Sequence, residues 1–182
     1  YAKVELDKLF GHDLFLNEVI WYYTNAGGRS SNAYARKHDT LLVYTKSKKP
    51  HFDYKAAGVK RVQDDSKFGS FFATDQDGRM YQEVRTKTKT YRYYLDDPKI
   101  PDDVWDIQKL GQHDKTERIG YPTQKPEAVI ERAVLVSCPE GGVVADFFVG
   151  GGTTPAVAQR LGRRWIACDQ SRVAVAITAD RL

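Results

Sequence analysis

Between Lys3 and Phe10, the apolar residues Val4, Leu6, Leu9 and Phe10 fall roughly on one helical face and Gly11 follows them, which predicts a short amphipathic helix. The run from Glu18 to Asn25 is β-branched and aromatic and stops at Gly27-Gly28. A second run of that kind covers Thr40 to Lys46, and the two predict a pair of strands. The polar loop between them, about fifteen residues long, exceeds an ordinary hairpin connection, and loops of that length often carry function. From Ser47 to Gly120 the pattern weakens into short β-prone pieces, with a turn signal at Asp77-Gly78 and a stretch broken by Pro98 and Pro101. Periodicity returns after Pro126, where Ala128, Val129, Ala133, Val134 and Val136 recur at helical spacing up to Pro139-Glu-Gly-Gly142. Val143 to Asp146 then reads as a buried-type strand, Gly150 to Gly152 as a turn, and Thr153 to Leu161 as a helix. Trp165 to Asp169 reads as another strand, and a last helix starts after Ser171 as its N-cap. Helix, strand, glycine loop, helix, strand, helix is the order of a doubly wound α/β fold with a parallel sheet.

At 182 residues the chain amounts to one ordinary domain or a large part of one. It has no apolar run near the ~20 residues that cross a bilayer and no basic-then-apolar leader, so no membrane association is expected and the cytoplasm is the default location. Cys138 and Cys168 are the only cysteines and neither lies in a CxxC or CxxH arrangement, which argues against a disulfide scaffold or a zinc ribbon and suggests no metal site. Both are expected to fill small core spaces. Trp21 and Trp165, within predicted strands, are expected to pack, as are Phe147 and Phe148; Trp105 reads as a core residue or an anchor of the middle lobe. The net charge of +4 is unremarkable, but it is concentrated: between Lys46 and Tyr94 twelve Lys or Arg face six Asp or Glu. The chain opens on Tyr1 and its only methionine is Met80, which suggests that it was cut from a longer reading frame.

The chemistry gathers at Asp146-Phe-Phe-Val-Gly-Gly-Gly-Thr-Thr154, between a predicted strand and a predicted helix. Glycines let a ligand approach the backbone, and loop amides at a helix N-terminus favour a negative group. No Gly-Lys-Ser/Thr follows the glycines, so a P-loop is excluded. Asp169 ends the next strand, where an acid can take both hydroxyls of an adenosine ribose. Asp146 sits directly before the loop, where a carboxylate suits an ammonium or sulfonium better than a pyrophosphate. S-adenosylmethionine (SAM) matches this charge pattern better than NAD. A bland alternative stands beside it, with Asp146 a helix cap and Asp169 a turn residue.

These residues resemble the β-class DNA amino-methyltransferases, which methylate N6 of adenine or N4 of cytosine. The resemblance rests on Tyr121-Pro-Thr-Gln-Lys-Pro126 preceding the Asp146–Thr154 loop at the family's spacing. It extends to Leu6–Gly11, Asn17–Trp21, His38–Lys46, Val104–Ile107 and Glu117–Pro122, and is weakest between residues 48 and 100. It implies an incomplete Rossmann-like α/β SAM-dependent methyltransferase sheet with an inserted basic, β-rich lobe. Residues 1–47 would carry C-terminal strands of the catalytic subdomain, 48–120 the target-recognition lobe, and 121–182 the SAM-binding subdomain. Carried over, Asp146, Phe148, Gly150, Gly152 and Thr153 form the SAM loop, Asp169 holds the ribose, and Thr123, Gln124 and Lys125 approach the methionine end. A restriction–modification setting and double-stranded DNA as partner follow from the same likeness.

Phe147 replaces the proline that often follows the motif Asp. More consequential, the family's Asp/Asn/Ser-Pro-Pro-Tyr/Phe motif is missing, because no two of the seven prolines are adjacent. That motif accepts hydrogen bonds from the attacking exocyclic amine and stacks on a flipped base. The chain therefore has no assigned catalytic residue and is expected to be inactive alone, with two central strands absent and the gap met by the missing N-terminal segment, a companion fragment or self-association. In the basic lobe, Arg85-Thr-Lys-Thr-Lys-Thr-Tyr-Arg-Tyr-Tyr94 read as one strand places Arg85, Lys87 and Lys89 on one face, with Arg92 nearby, for DNA phosphates and tyrosines for bases. A solvated strand with a tyrosine-packed back is the plain alternative. For the whole chain, the rivals are a non-catalytic SAM- or nucleic-acid-binding module and an NAD-dependent enzyme.

Overall fold

The structure, a computed structural model, describes residues 1–28, 31–58 and 71–182. Arg29 and Ser30 of the long polar loop, and Lys60, Arg61 and Lys67 of the basic lobe, lie outside the described residues. The chain divides into two compact units, one made of Tyr1–Asp53 with Asp102–Leu182 and the other of Tyr54–Pro101.

The larger unit opens with helix α1 (Ala2–Phe10), which ends at Gly11, where φ is +92°. None of its residues is buried, and Val4 and Leu9 remain exposed. Its polar face is tied down instead, because Lys3 Nζ and the Tyr44 hydroxyl both donate to Asp7. Strand β1 (Phe15–Tyr22) pairs antiparallel with β2 (His38–Tyr44) and parallel with the short β6 (Val104–Asp106), giving the order β2-β1-β6. Alternation along β1 turns Val19 and Trp21 inward, and they meet Tyr23, Trp105 and Val129 in the unit's main apolar cluster. Trp21 also donates its indole N–H to Ile107 O at 2.7 Å, so burying the ring leaves no polar atom unsatisfied. Trp105 belongs to this core. Three residues are too few to show a period, which is why β6 was not legible as a strand.

Helix α2 (Glu127–Ser137) supplies Val129 and Ala133 to that cluster and packs on α3 (Thr153–Arg160). Pro155 lies in the first turn of α3, where its missing N–H costs no helical bond, and Val157 and Ala158 are wholly buried. The connection is clamped by Arg163, a buried guanidinium that donates twice to Cys138 O, at 3.1 and 2.9 Å, at the carboxyl end of α2. Strands β7 (Val143–Asp146) and β8 (Arg164–Ala167) run parallel, with Asp146 opposite Ala167. Helix α4 (Arg172–Arg181) follows, capped as its sequence predicts by Ser171, whose hydroxyl accepts from Ala174 N–H.

Among the described residues, β7–β8 and β2-β1-β6 are separate sheets without a shared ladder. Several apolar side chains of the β7–β8 region are uncovered. Trp165, Ile166, Phe147 and Phe148 are 37, 58, 61 and 88% exposed, and Cys168 is exposed while Cys138 is buried. This corrects the packing roles expected of Phe147, Phe148 and Cys168, which are exposed, while Trp165 is only partly covered, its indole N–H reaching Gln159 of α3. No helix among the described residues is long and apolar enough to cross a membrane.

The smaller unit is an antiparallel meander of β3 (Phe71–Thr74), β4 (Met80–Arg85) and β5 (Thr90–Tyr94). The Asp77-Gly78 signal is the β3–β4 turn, where Gly78 has φ +80° and Asp75 Oδ1 accepts from the N–H groups of Asp77 and Arg79. Because Trp21 is the largest fully buried side chain among the described residues and a hydrogen-bond donor, Trp21→Ala is expected to cost about 3–5 kcal/mol in urea unfolding. A loss below about 1 kcal/mol would contradict this account of the core.

Candidate functional site

The loop from Asp146 to Thr153 joins the carboxyl end of β7 to α3, and it satisfies most of its own backbone. Asp146 accepts Phe148 N–H on Oδ1 at 3.0 Å and the Thr154 hydroxyl on Oδ2 at 2.6 Å. Val149 N–H reaches Cys168 O at 3.1 Å, Gly150 N–H reaches Asp169 Oδ2 at 3.0 Å, and Gly152 N–H reaches Val149 O at 3.0 Å. Asp169 takes Ser171 N–H on its other oxygen at 2.9 Å. Four loop amides, those of Phe148, Val149, Gly150 and Gly152, thus already have acceptors within the protein, which narrows the amide contribution expected toward an anion. The site presents two half-buried carboxylates instead, each oxygen retaining acceptor capacity. The bonds from Ser171 and Gly150 hold the Asp169 carboxyl below its ordinary range. Such a site suits hydroxyls and cationic centres better than a pyrophosphate.

The glycines are required by what lies against them. A Cβ on Gly151 would stand 2.9 Å from the Tyr121 Cβ, and one on Gly152, where φ is +75°, would stand 2.9 Å from the Thr178 hydroxyl oxygen and 3.1 Å from its Cα. The Tyr121–Pro126 element is joined to the loop through Thr153, whose hydroxyl donates to Lys125 O at 3.2 Å. Within this element Gln124 acts as a brace, its Nε2 donating to Glu117 O at 2.8 Å and its Oε1 accepting Ile119 N–H at 3.0 Å. Thr123 and Lys125 are exposed. Glu117 accepts Glu127 N–H at the start of α2, and burial pushes its carboxyl above the ordinary range.

The structure therefore brings together Asp146, Gly150, Gly152, Thr153 and Asp169, with the backbone of Lys125, and leaves Phe148 beside them in solvent. Sequence reasoning missed Tyr121, Thr178 and Arg181, which hold the loop from behind. Thr178 donates to Gly150 O at 3.2 Å and Arg181 to Gly151 O at 3.0 Å. Tyr121 opens the Tyr121–Pro126 element but was given no role; nothing local to Thr178 or Arg181 marks them.

In the smaller unit, the segment from Arg85 to Tyr94 is a hairpin and not one strand, so the single basic face expected of Arg85, Lys87 and Lys89 does not form. Strand β4 ends at Arg85, the tip is closed by Thr86, which exchanges hydrogen bonds with Lys89, and β5 returns with Arg92 opposite Glu83. Glu83 is buried and takes Arg85 Nε at 2.8 Å and Arg92 Nε at 3.2 Å, which holds its carboxyl below the ordinary range. The Arg85 guanidinium lies over Phe71 and that of Arg92 over Tyr81. Lys87 and Lys89 at the tip are exposed and make no ion pair among the described residues. On the opposite face, Tyr91 and Tyr93 stack with ring centroids 6.3 Å apart.

With this geometry in view, comparisons with known proteins are specific. The family model described as DNA methylase matches residues 3–180. The chain is 40% identical over 169 residues to the Type II methyltransferase M2.LlaDCHI of Lactococcus lactis subsp. cremoris, covering 92% of this chain and 50% of that protein. It is 29% identical over 178 residues to the Type II methyltransferase M.HpaI of Haemophilus parainfluenzae, covering 96% of this chain and 48% of the relative. The chain thus spans about half the length of these relatives. Among solved structures it resembles the cytosine-N4-specific PvuII DNA methyltransferase, with a TM-score of 0.63 and 15% identity over 100% of this chain and 55% of that one. It also resembles the M1.HpyAVI–SAM complex, with a TM-score of 0.59 and 17% identity over 100% of this chain and 70% of that one. At such identities the likeness establishes the fold, which is the Rossmann-like fold of methyltransferases, incomplete here.

A carboxyl depressed by folding stabilises the folded state above the unfolded-chain pKa, about 3.9 for Asp, and that contribution is lost as pH falls through the folded value. The difference in melting temperature between the native chain and Asp169→Asn is therefore expected to be full at neutral pH and to shrink below about pH 4. A difference unchanged from neutral to strongly acid solution would overturn the assignment of the two N–H bonds to a charged carboxylate.

Proposed function

The chain belongs to the DNA methylase family, and from that membership we propose that it forms the cofactor-binding and DNA-contacting part of an enzyme that transfers a methyl group from SAM to the exocyclic amine of adenine (N6) or cytosine (N4). The observation that carries this reading is the inward turn of the loop amides onto Asp146 and Asp169. It leaves the oxygens of two carboxylates to meet a ligand beside the loop, which favours hydroxyls and cationic groups over a dinucleotide pyrophosphate. Asp169 receives the ribose hydroxyls, and Asp146 faces the ammonium and sulfonium end. Gly150, Gly152 and Thr153 shape the floor, and Phe148 lies alongside. Thr123 and Lys125, exposed at the end of the Tyr121–Pro126 element, supply a hydroxyl and an ammonium for the methionine carboxylate, while Gln124 holds that element in shape.

Bound SAM supplies an electrophilic methyl on a sulfonium, so the protein's work is alignment and electrostatics. The exocyclic amine needs acceptors for its protons, and the Pro-Pro motif that provides them in the family is not in this sequence. That motif comes from another segment, either the rest of a longer chain or a companion fragment, which also covers the exposed apolar side chains of β7–β8. Self-association is the alternative cover. The chain alone is inactive, and the assembled enzyme works in the cytoplasm as a modification enzyme.

The lobe holds double-stranded DNA. Its hairpin tip offers Lys87 and Lys89, while Arg85 and Arg92 share their charge with Glu83 and present their remaining N–H groups.

Two measurements test the reading. Calorimetric titration is expected to find that SAM binds and NAD does not, with Asp169→Ala weakening SAM about tenfold or more. Preferential NAD binding, or a variant that binds SAM as the native chain does, would refute the assignment. For DNA, Lys87→Ala and Lys89→Ala are each expected to reduce the slope of log affinity against log salt by about 0.9. Slopes equal to the native one would remove the hairpin tip from the interface.

A further inference from the structure

Arg181 lies in the last turn of α4, far in sequence from both loop motifs, with a side chain only 10% exposed. Its Nη1 donates to Gly151 O at 3.0 Å and to Thr153 Oγ1 at 3.3 Å. Its Nη2 donates to Glu127 Oε1 at 2.6 Å. Glu127 opens α2 directly after Pro126, and Thr153 in turn donates to Lys125 O. One planar guanidinium therefore touches the glycine loop and the base of the Tyr121–Pro126 element at once, with the fork geometry that a lysine cannot reproduce.

The peptide unit between Gly151 and Gly152 shows why this matters. A peptide flanked by glycines meets little steric resistance to reorientation, so its direction must be set by its partners. Here its carbonyl is held by Arg181 and its N–H by Val149 O. The carbonyl of the preceding peptide is held by Thr178, one turn earlier on α4. Glu127 is shared with Arg160 of α3, at 3.1 Å, so a network of ion pairs ties three helices to the loop.

We propose that Arg181 is a positioning residue for the methyl donor: it sets the orientation of the Gly151–Gly152 peptide and the spacing between the glycine loop and Thr123–Lys125, and thereby the affinity for the methionine end of SAM. This rests on the cofactor reading above. Adenosine engages Asp169 without reaching Thr123 or Lys125, so it reports on the pocket without the part that Arg181 positions.

The test uses Arg181→Met, which keeps bulk without donors, and Arg181→Lys, titrated with SAM and with adenosine, together with hydrogen exchange of the Gly152 amide in the free chain. Arg181→Met is expected to weaken SAM about tenfold or more and adenosine by less than about threefold. Arg181→Lys should recover part of the SAM loss, and Gly152 exchange should accelerate in both variants. Equal losses for SAM and adenosine would reduce Arg181 to a clamp for stability, and no loss for either would overturn the proposal. If the native chain binds adenosine but not SAM, the cofactor reading fails, and the exchange rate alone decides whether Arg181 orients the loop: an unchanged rate rejects it. Should Arg181→Met not fold, the same readouts on Arg181→Lys decide.

Discussion

A tight glycine turn at the carboxyl end of a parallel strand pair has to satisfy its own backbone, and the region around it depends on how it does so. Unpaired amides in a half-buried loop are costly, and the available acceptors are side chains at the end of β7 and just beyond β8. Asp146 closes the turn from its own strand and Asp169 closes it from the next, so the same carboxylates that could meet a ligand also shape the loop. Function and folding are coupled there through one pair of side chains. The glycines follow from this closure, since the loop lies against Tyr121 on one side and Thr178 on the other with no room for a Cβ.

The smaller unit solves a related problem with charge. A buried carboxylate without partners is strongly unfavourable, and Glu83 meets two guanidinium groups across one register step of a hairpin. Arg85 and Arg92 are thereby held over aromatic rings and their flexibility is reduced before any ligand arrives. The arrangement divides the basic residues of the hairpin into an oriented pair on the strands and an exposed pair, Lys87 and Lys89, at the tip.

The larger unit is well packed around Trp21 and around α3, yet its two sheets are not joined by hydrogen bonds among the described residues, and apolar side chains of β7–β8 face solvent. That matches a chain that aligns along nearly its whole length with only half of its relatives. In the proposed reading, the segment that supplies the amine-accepting motif also covers this exposed face.

Local pattern made much of this legible. The helical spacing after Pro126, the glycine turn, the Ser171 cap and the strand that ends at Asp146 depend on residues within a few positions of one another and appear as read, whereas Asp169 lies two residues beyond β8, which ends at Ala167. The association of Thr123–Pro126 with the Asp146 loop was legible through the family resemblance, which rests on both motifs. What sequence could not reveal depends on contacts between distant positions. The direction of the loop amides rests on Asp169, the hairpin rests on the register of Arg92 against Glu83, and the loop's rear support rests on Thr178 and Arg181 from the last helix. Sequence by itself determined which residues carry charge and which backbone positions can turn. Only the tertiary structure decided which charge meets which backbone group, because hydrogen bonds act over about 3 Å in space and place no limit on separation along the chain.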